Sequence, residues 1–414
     1  MPQPRVEDIN NRIRLALVAI ILFAVLIAMR LFFLQVASGS YYTTQAARQQ
    51  NFSQVLTPRR GNIFMREKTG ESVPVASTKE GYLIYINPKK LTDPETTYEK
   101  LSALTKLDKT DFLARASKKD DPYEVVTHRL EREAAEKIED LKLDNVGVAP
   151  EEWRVYPAKT LAAHVIGFLG YKNDTLEGRY GLERFYEDEL KGREGYLQAS
   201  RSAGGILLEL GRSLFSPPEE GKDIVLTLEP NVQAFLEKKL SEAREKWKPT
   251  KGGGIVMEPQ TGKILALGAF PNFDPNTYGK TQDLNTFVNP LVENVFELGS
   301  VFKPLTLAAG LNEKVITPET TYFDKGYLIL DNYKIENFDQ KGRGEITMQK
   351  VLEESLNTGA AFAAGKLGKE NLRKYFLAYG LGEKTGITLP GEVNGNVSNL
   401  YSKRGVEYAT ASFG

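Results

Sequence analysis

Ser300 and Lys303 stand three residues apart in Glu297-Leu298-Gly299-Ser300-Val301-Phe302-Lys303, just ahead of the apolar positions Leu305, Leu307, Ala308, Ala309 and Leu311. Those positions predict a helix, on which residues i and i+3 face the same way with Cβ atoms about 5–6 Å apart. A serine hydroxyl is a weak nucleophile until an adjacent base takes its proton. A lysine can be that base once burial or neighbouring cations depress its pKa toward neutrality. The start of the helix also aims backbone N–H groups at a developing oxyanion. The pair reads as nucleophile and base of a covalent acyl transfer. A bare S-x-x-K recurs by chance, so a second element has to support it.

Ser355-Leu356-Asn357 is that element, reached from Gly344-Glu345-Ile346-Thr347 through a helical segment. A hydroxyl and an amide two residues apart suit a proton relay and a grip on a peptide amide. Taken alone, the same residues read as a helix C-terminus with its cap. Lys384-Thr385-Gly386 resembles a third element, but Gly380, Gly382, Pro390 and Gly391 crowd it with turn signals. An extended strand at a sheet edge does not fit there. The candidate site is therefore Ser300, Lys303, Ser355 and Asn357.

The remaining composition narrows the chemistry. The chain has no cysteine and only two histidines, His128 and His164. Thiol nucleophiles, disulfides and a His-rich metal site are excluded. No cofactor is called for, and both histidines read as structural. Lys plus Arg and Asp plus Glu number 54 each, so no overall field points to nucleic acid.

At 414 residues the chain calls for two or three domains. Residues 1–14 form a short basic N-terminus with Arg5, Arg12 and Arg14, expected to stay in the cytoplasm. Residues 15–37 are expected to be a single transmembrane anchor, with Arg30 snorkelling outward and Tyr41 and Tyr42 at the interface. The alternative, a cleaved signal peptide ending near Ala37-Ser38-Gly39, requires a shorter apolar core without Arg30. Residues 45–205 read as a mixed α+β module with a helix over Glu131–Leu143 and no catalytic constellation. A linker at 206–220 leads to residues 221–414. There Asp223–Leu228 predicts a strand, and Val232, Phe235, Leu236, Leu240, Ala243 and Trp247 one face of a helix. Gly254–Met257 and Lys263–Leu267 predict a hairpin. The fold class expected is α+β, with helices packed on an antiparallel sheet.

S-x-x-K, S-x-N and K-T-G are the set shared by penicillin-binding proteins and class A β-lactamases. The chain resembles a class B penicillin-binding protein, a monofunctional peptidoglycan D,D-transpeptidase, over nearly its whole length. Gly299–Lys303 resembles that family's P-G-S-x-F-K with Leu298 in place of proline. Pro271–Asn276 resembles the loop before it. Arg60–Ile63, Arg154–Pro157, Ala162–Gly167 and Gly181–Glu183 resemble the non-catalytic, dimerisation-type pedestal, with departures at Met65 and Lys159. The resemblance implies that Gly380–Glu392 is not the active-site strand. It also implies that the sequence stops inside the transpeptidase domain, before the true K-S/T-G.

By the same resemblance Ser300 would attack the D-Ala-D-Ala end of a stem peptide, Lys303 would take its proton, and β-lactams would acylate Ser300. The implied partners are peptidoglycan stem peptides, a SEDS-type glycosyltransferase with other cell-wall assembly proteins, and the membrane, but no nucleic acid. The implied location is the cytoplasmic membrane, with the C-terminal domains on its outer side. Two other readings stay open: a D,D-carboxypeptidase or β-lactamase-like hydrolase, and a non-enzymatic penicillin-binding sensor or scaffold.

Overall fold

The computed structural model describes residues 6–34, 51–173, 175–201, 207–208 and 214–414. Tyr41 and Tyr42, the Ala37-Ser38-Gly39 site, the last residues of the expected anchor, the first of the expected pedestal, and 206 and 209–213 of the expected linker lie outside them.

The N-terminal apolar run forms α1 (Val6–Phe32), whose side chains Ile20, Phe23, Leu26 and Met29 are exposed. Among the described residues no helix is long and apolar enough to cross a membrane. After β1 (Asn51–Leu56) come β2 (Ile63–Arg66) and β3 (Ser72–Ile86), an antiparallel hairpin. Ile63 and Met65 face inward and their neighbours outward, the period of two that a one-sided strand requires. Two helices follow, each opened by an aspartate whose side chain accepts a free backbone N–H: α2 (Pro94–Ser102) by Asp93 and α3 (Lys109–Ala116) by Asp108. Next are β4 (Glu124–Leu130), α4 (Arg132–Asp140) inside the helix expected over Glu131–Leu143, and β5 (Val146–Val155). β5 runs antiparallel to β3 from Ser77↔Val155 to Ile86↔Val146. Ile84, Ile86, Leu101, Phe112, Leu130 and Ile138 close one core between these strands and helices.

α5 (Ala163–Ile166) comes next, then β6 (Leu169–Lys172) and β7 (Thr175–Gly178), which make a small hairpin, and α6 (Gly181–Phe185). β8 (Gly195–Arg201), β9 (Leu207–Leu208), β10 (Leu214–Ser216) and the two-residue β11 (Ile224–Val225) follow. β11 is shorter than the strand expected over Asp223–Leu228, and it pairs in parallel with β2.

The chain divides into two units. The first comprises the residues up to Gly61 together with Lys191–Lys222. Within it β8 pairs antiparallel with β1, β9 and β10. The stretch expected to be a linker is tied down here: β10 is a strand, Gly221 N donates to Arg59 O, and Arg193 and Glu219 exchange backbone hydrogen bonds.

The second unit comprises Asn62–Leu190 and Asp223–Gly414. After β11, its second stretch continues with α7 (Pro230–Trp247), β12 (Gly252–Met257) and β13 (Ile264–Phe270). The hairpin forms where expected, while the inward face of α7 is corrected. Phe235 and Trp247 are exposed, and the centre of the stripe is the fully buried Gln233. Its side chain exchanges two hydrogen bonds with the backbone of Leu267, and Leu236 and Leu240 lie over Gly254 and Gly268. A polar residue satisfied by a strand edge counts as interior, which an apolar pattern does not register.

α8 (Lys303–Asn312), β14 (Thr321–Asp324), β15 (Tyr327–Leu330), β16 (Tyr333–Glu336), β17 (Gly344–Thr347), α9 (Met348–Glu353), α10 (Asn357–Leu367), α11 (Lys369–Ala378) and α12 (Gly405–Ala411) complete the unit. Here too the sheets are antiparallel pairs: β12–β13, β14–β17 and β15–β16. The architecture is mixed α+β, as expected.

Candidate active site

The sequence builds the site from two helix starts and one turn. Gly299, at φ +63°, bends the chain into a single 3-10 turn, Gly299–Phe302, that runs directly into α8. Ser300 therefore sits exposed at the mouth of the helix, and Lys303 opens it with its side chain 1% exposed. α10 begins with Asn357 and is rich in small residues: Gly359, Ala360, Ala361, Ala363 and Ala364 are all buried. Small side chains let α8 and α10 approach closely. Leu356 is fully buried with Leu307, Met348 and Val351, so its neighbours Ser355 and Asn357 are held at the rim.

Three of the four candidate residues, Ser300, Lys303 and Ser355, meet at the Lys303 ammonium. Lys303 Nζ donates to Ser300 Oγ at 3.0 Å, to Ser355 Oγ at 3.0 Å and to the Ser355 carbonyl oxygen at 2.5 Å. All three acceptors are uncharged. Burial pushes the Lys303 pKa down to about 8. Ser355 itself is at φ +54°, in the left-handed region that side chains other than glycine's avoid. Asn357 Nδ2 donates to Glu336 O at 2.8 Å, so its amide bridges α10 to the end of β16. The arrangement offers a nucleophile, a base depressed toward neutrality and a second hydroxyl on the same amine.

Behind the turn lies a set of residues that the sequence reading missed. Asp324, at the end of β14, is 1% exposed and accepts from Thr358 Oγ1 at 2.8 Å, Asn337 Nδ2 at 2.9 Å and Gly326 N at 2.9 Å. Arg343 joins the Asp339 carboxylate, at 2.8 Å, to Glu354, at 2.9 Å, immediately before Ser355. The one signal available in the sequence was Asp324-Lys325-Gly326, the pattern of an aspartate that turns its own backbone.

Lys384-Thr385-Gly386 is not in a strand. Thr385 N and Oγ1 both donate to Glu392 Oε1 at 2.6 Å, which closes a loop. His164 is buried edge-on against Phe273 with Nε2 3.0 Å from Thr286 O, and burial lowers its pKa to about 4. His128 lies on the surface beside Glu151. Neither imidazole is among the groups around Ser300.

Residues 252–414 match the penicillin binding protein transpeptidase domain, and residues 55–226 the penicillin-binding protein dimerisation domain. Stage V sporulation protein D of Bacillus subtilis is 31% identical over 98% of this chain and 63% of its own length. The peptidoglycan D,D-transpeptidase MrdA of Acinetobacter baumannii is 28% identical over 94% of this chain and 61% of its own length. The chain thus spans under two thirds of these curated relatives. Among solved structures, penicillin binding protein 2X of Streptococcus thermophilus superposes with a TM-score of 0.69 at 24% identity, covering 88% of this chain and 56% of the other. The penicillin-binding protein of a complex with MreC from Helicobacter pylori gives 0.67 at 21%, covering 88% and 73%. At these identities the two structures speak for the fold.

Proposed function

Since the chain belongs to the class B penicillin-binding proteins, we propose that it is a serine D,D-transpeptidase that cross-links peptidoglycan stem peptides. The observation that carries this reading is the Lys303 ammonium, buried and shared between Ser300 Oγ and Ser355 Oγ at 3.0 Å each. Neutral Lys303 takes the Ser300 proton as Oγ attacks the penultimate D-Ala carbonyl. The Ser355 hydroxyl relays that proton to the departing D-Ala nitrogen; the C–N bond breaks, D-Ala leaves as a free amine, and the acyl group remains on Ser300 as an ester. An amino group of a neighbouring stem then attacks the ester. It gives up a proton through the same relay and restores Ser300. Asn357 lies at the rim, where its amide can bind the substrate's peptide backbone. A β-lactam enters the first step and stays on Ser300.

We place the apolar stretch of α1 in the cytoplasmic membrane, with residues 1–14 on its cytoplasmic side and the C-terminal domains on its outer side, a reading supported by the exposed side chains of Ile20, Phe23, Leu26 and Met29. Retention of the chain in membranes washed at alkaline pH tests that placement. A membrane glycosyltransferase of the SEDS type, as supplier of the glycan strand, and other cell-wall assembly proteins are the matching partners. The relative seen with MreC supports that class of assembly.

The test of the reaction is covalent labelling of the full chain with a fluorescent penicillin. Labelling is expected on Ser300 and is lost in Ser300→Ala. Labelling that persists in that variant assigns the nucleophile elsewhere and removes the proposal.

A further inference from the structure

Two of the three acceptors on Lys303 belong to one residue, Ser355, so whatever holds Ser355 sets the environment of the base. Ser355 is in an unfavourable left-handed conformation and does not hold itself. Its neighbours are fixed from behind. On one side Glu354 is bound by Arg343. On the other, Thr358 N donates to Asn337 Oδ1 at 3.2 Å, and the Thr358 hydroxyl lies 2.8 Å from Asp324 Oδ1. That hydroxyl has one proton, which goes to the carboxylate, so the Tyr322 hydroxyl 3.1 Å away donates to Thr358 in turn. Asp324 Oδ2 accepts from Asn337 Nδ2 at 2.9 Å and from Arg343 N at 3.1 Å.

One carboxylate thus joins four segments: the end of β14, the residue after β16, the lead into β17 and the first turn of α10. Asp324 takes part in no ion pair among the described residues, so its buried charge is met by hydrogen bonds alone. Such a site is costly to misassemble and accepts one arrangement of its donors.

We propose that Asp324 is a positioning residue of the active site. Through Thr358 and Asn337 it fixes the Ser355-Leu356-Asn357 turn against Lys303. The proposal rests on the transpeptidase reading for its purpose but not for its test.

The test follows the Lys303 side chain by NMR in the full-length protein labelled with ¹³C-lysine, its signal assigned by loss in Lys303→Met. Titration of the wild type is compared with Thr358→Val, which keeps the shape of Thr358 and removes its hydroxyl, and with Thr358→Ser, which restores it. Freed from the carboxylate, the turn moves off Lys303, and water reaches the ammonium. The Lys303 midpoint is expected to rise by about half a pH unit or more in Thr358→Val. It is expected to return in Thr358→Ser. Ile138→Ala, in the separate core under β3, β4 and β5, controls for general loss of stability and should leave the midpoint in place.

An unchanged midpoint in Thr358→Val, or an equal rise in Ile138→Ala, overturns the proposal. Penicillin labelling of the same samples separates the two ideas. A wild type that never labels counts against the transpeptidase reading, while the lysine titration still decides the role of Asp324.

Discussion

Lys303 is the residue on which the chemistry turns, and its protonation gives the most direct prediction. With the pKa depressed to about 8 by burial, roughly a tenth of the chains carry a neutral amine at pH 7. If that amine is the base, the rate of Ser300 acylation by penicillin rises about tenfold per pH unit below 8 and levels off above it. Labelling rates between pH 6 and 9.5 check this, and a rate that is flat below pH 8 contradicts it. Lys303→Arg keeps a cation of similar length that does not deprotonate, and should lower the rate by about 10²-fold or more. The candidate residues were legible for a local reason. Ser300 and Lys303 meet because a helical start brings i and i+3 together, and Asn357 follows Ser355 by two residues. Asp324, Asn337 and Thr358 were not legible, because they are 13 and 34 positions from their partners. An aspartate before a turn looks the same whether or not a threonine from another helix will find it.

At the scale of elements, the close approach of α9 and α10 depends on a missing side chain. A Cβ on Gly359 would stand 2.2 Å from Val351 Cγ2 and 3.0 Å from the Tyr322 hydroxyl. Gly359→Ala is therefore expected to cost about 1–3 kcal/mol in a urea or thermal unfolding measurement. It should also slow Ser300 labelling, since α10 carries Asn357 at its first position. A variant as stable as the wild type would mean that the two helices have slack. The same scale shows what apolar patterning can and cannot reveal. β12, β13 and α4 form where the pattern of strand or helix spacing places them. α7 forms as well, yet its buried stripe is centred on Gln233, because a strand edge offers it two hydrogen bonds. The reading of Phe235 and Trp247 as interior failed because the helix turns those positions away from the hairpin it covers.

For the whole molecule, the second unit has a core that ignores the order of the sequence. Ile63, Met65, Val165, Ile166 and Phe168 share it with Leu228, Leu267, Phe273, Phe287 and Val292. Phe287 meets Phe168 and Phe273 edge to face, with ring centroids 4.9 Å apart in each case. Asn276 exchanges hydrogen bonds with both backbone groups of Tyr156, 120 residues away. Phe287→Ala should therefore cost about 3–5 kcal/mol and lower the unfolding free energy of residues on both sides of the core together. Hydrogen exchange read separately on peptides before residue 190 and after residue 223 checks that. Destabilisation confined to the later peptides would show two independent cores. The pairing of β2 with β11 has a further consequence, in time. Asn62 is bonded to Asp223 across 161 residues, so β2 has no partner on that side while the intervening chain is being made. At about 5–20 residues per second, a ribosome takes on the order of ten to thirty seconds to supply it. For that interval the edge of β2 that β11 will cover stays open.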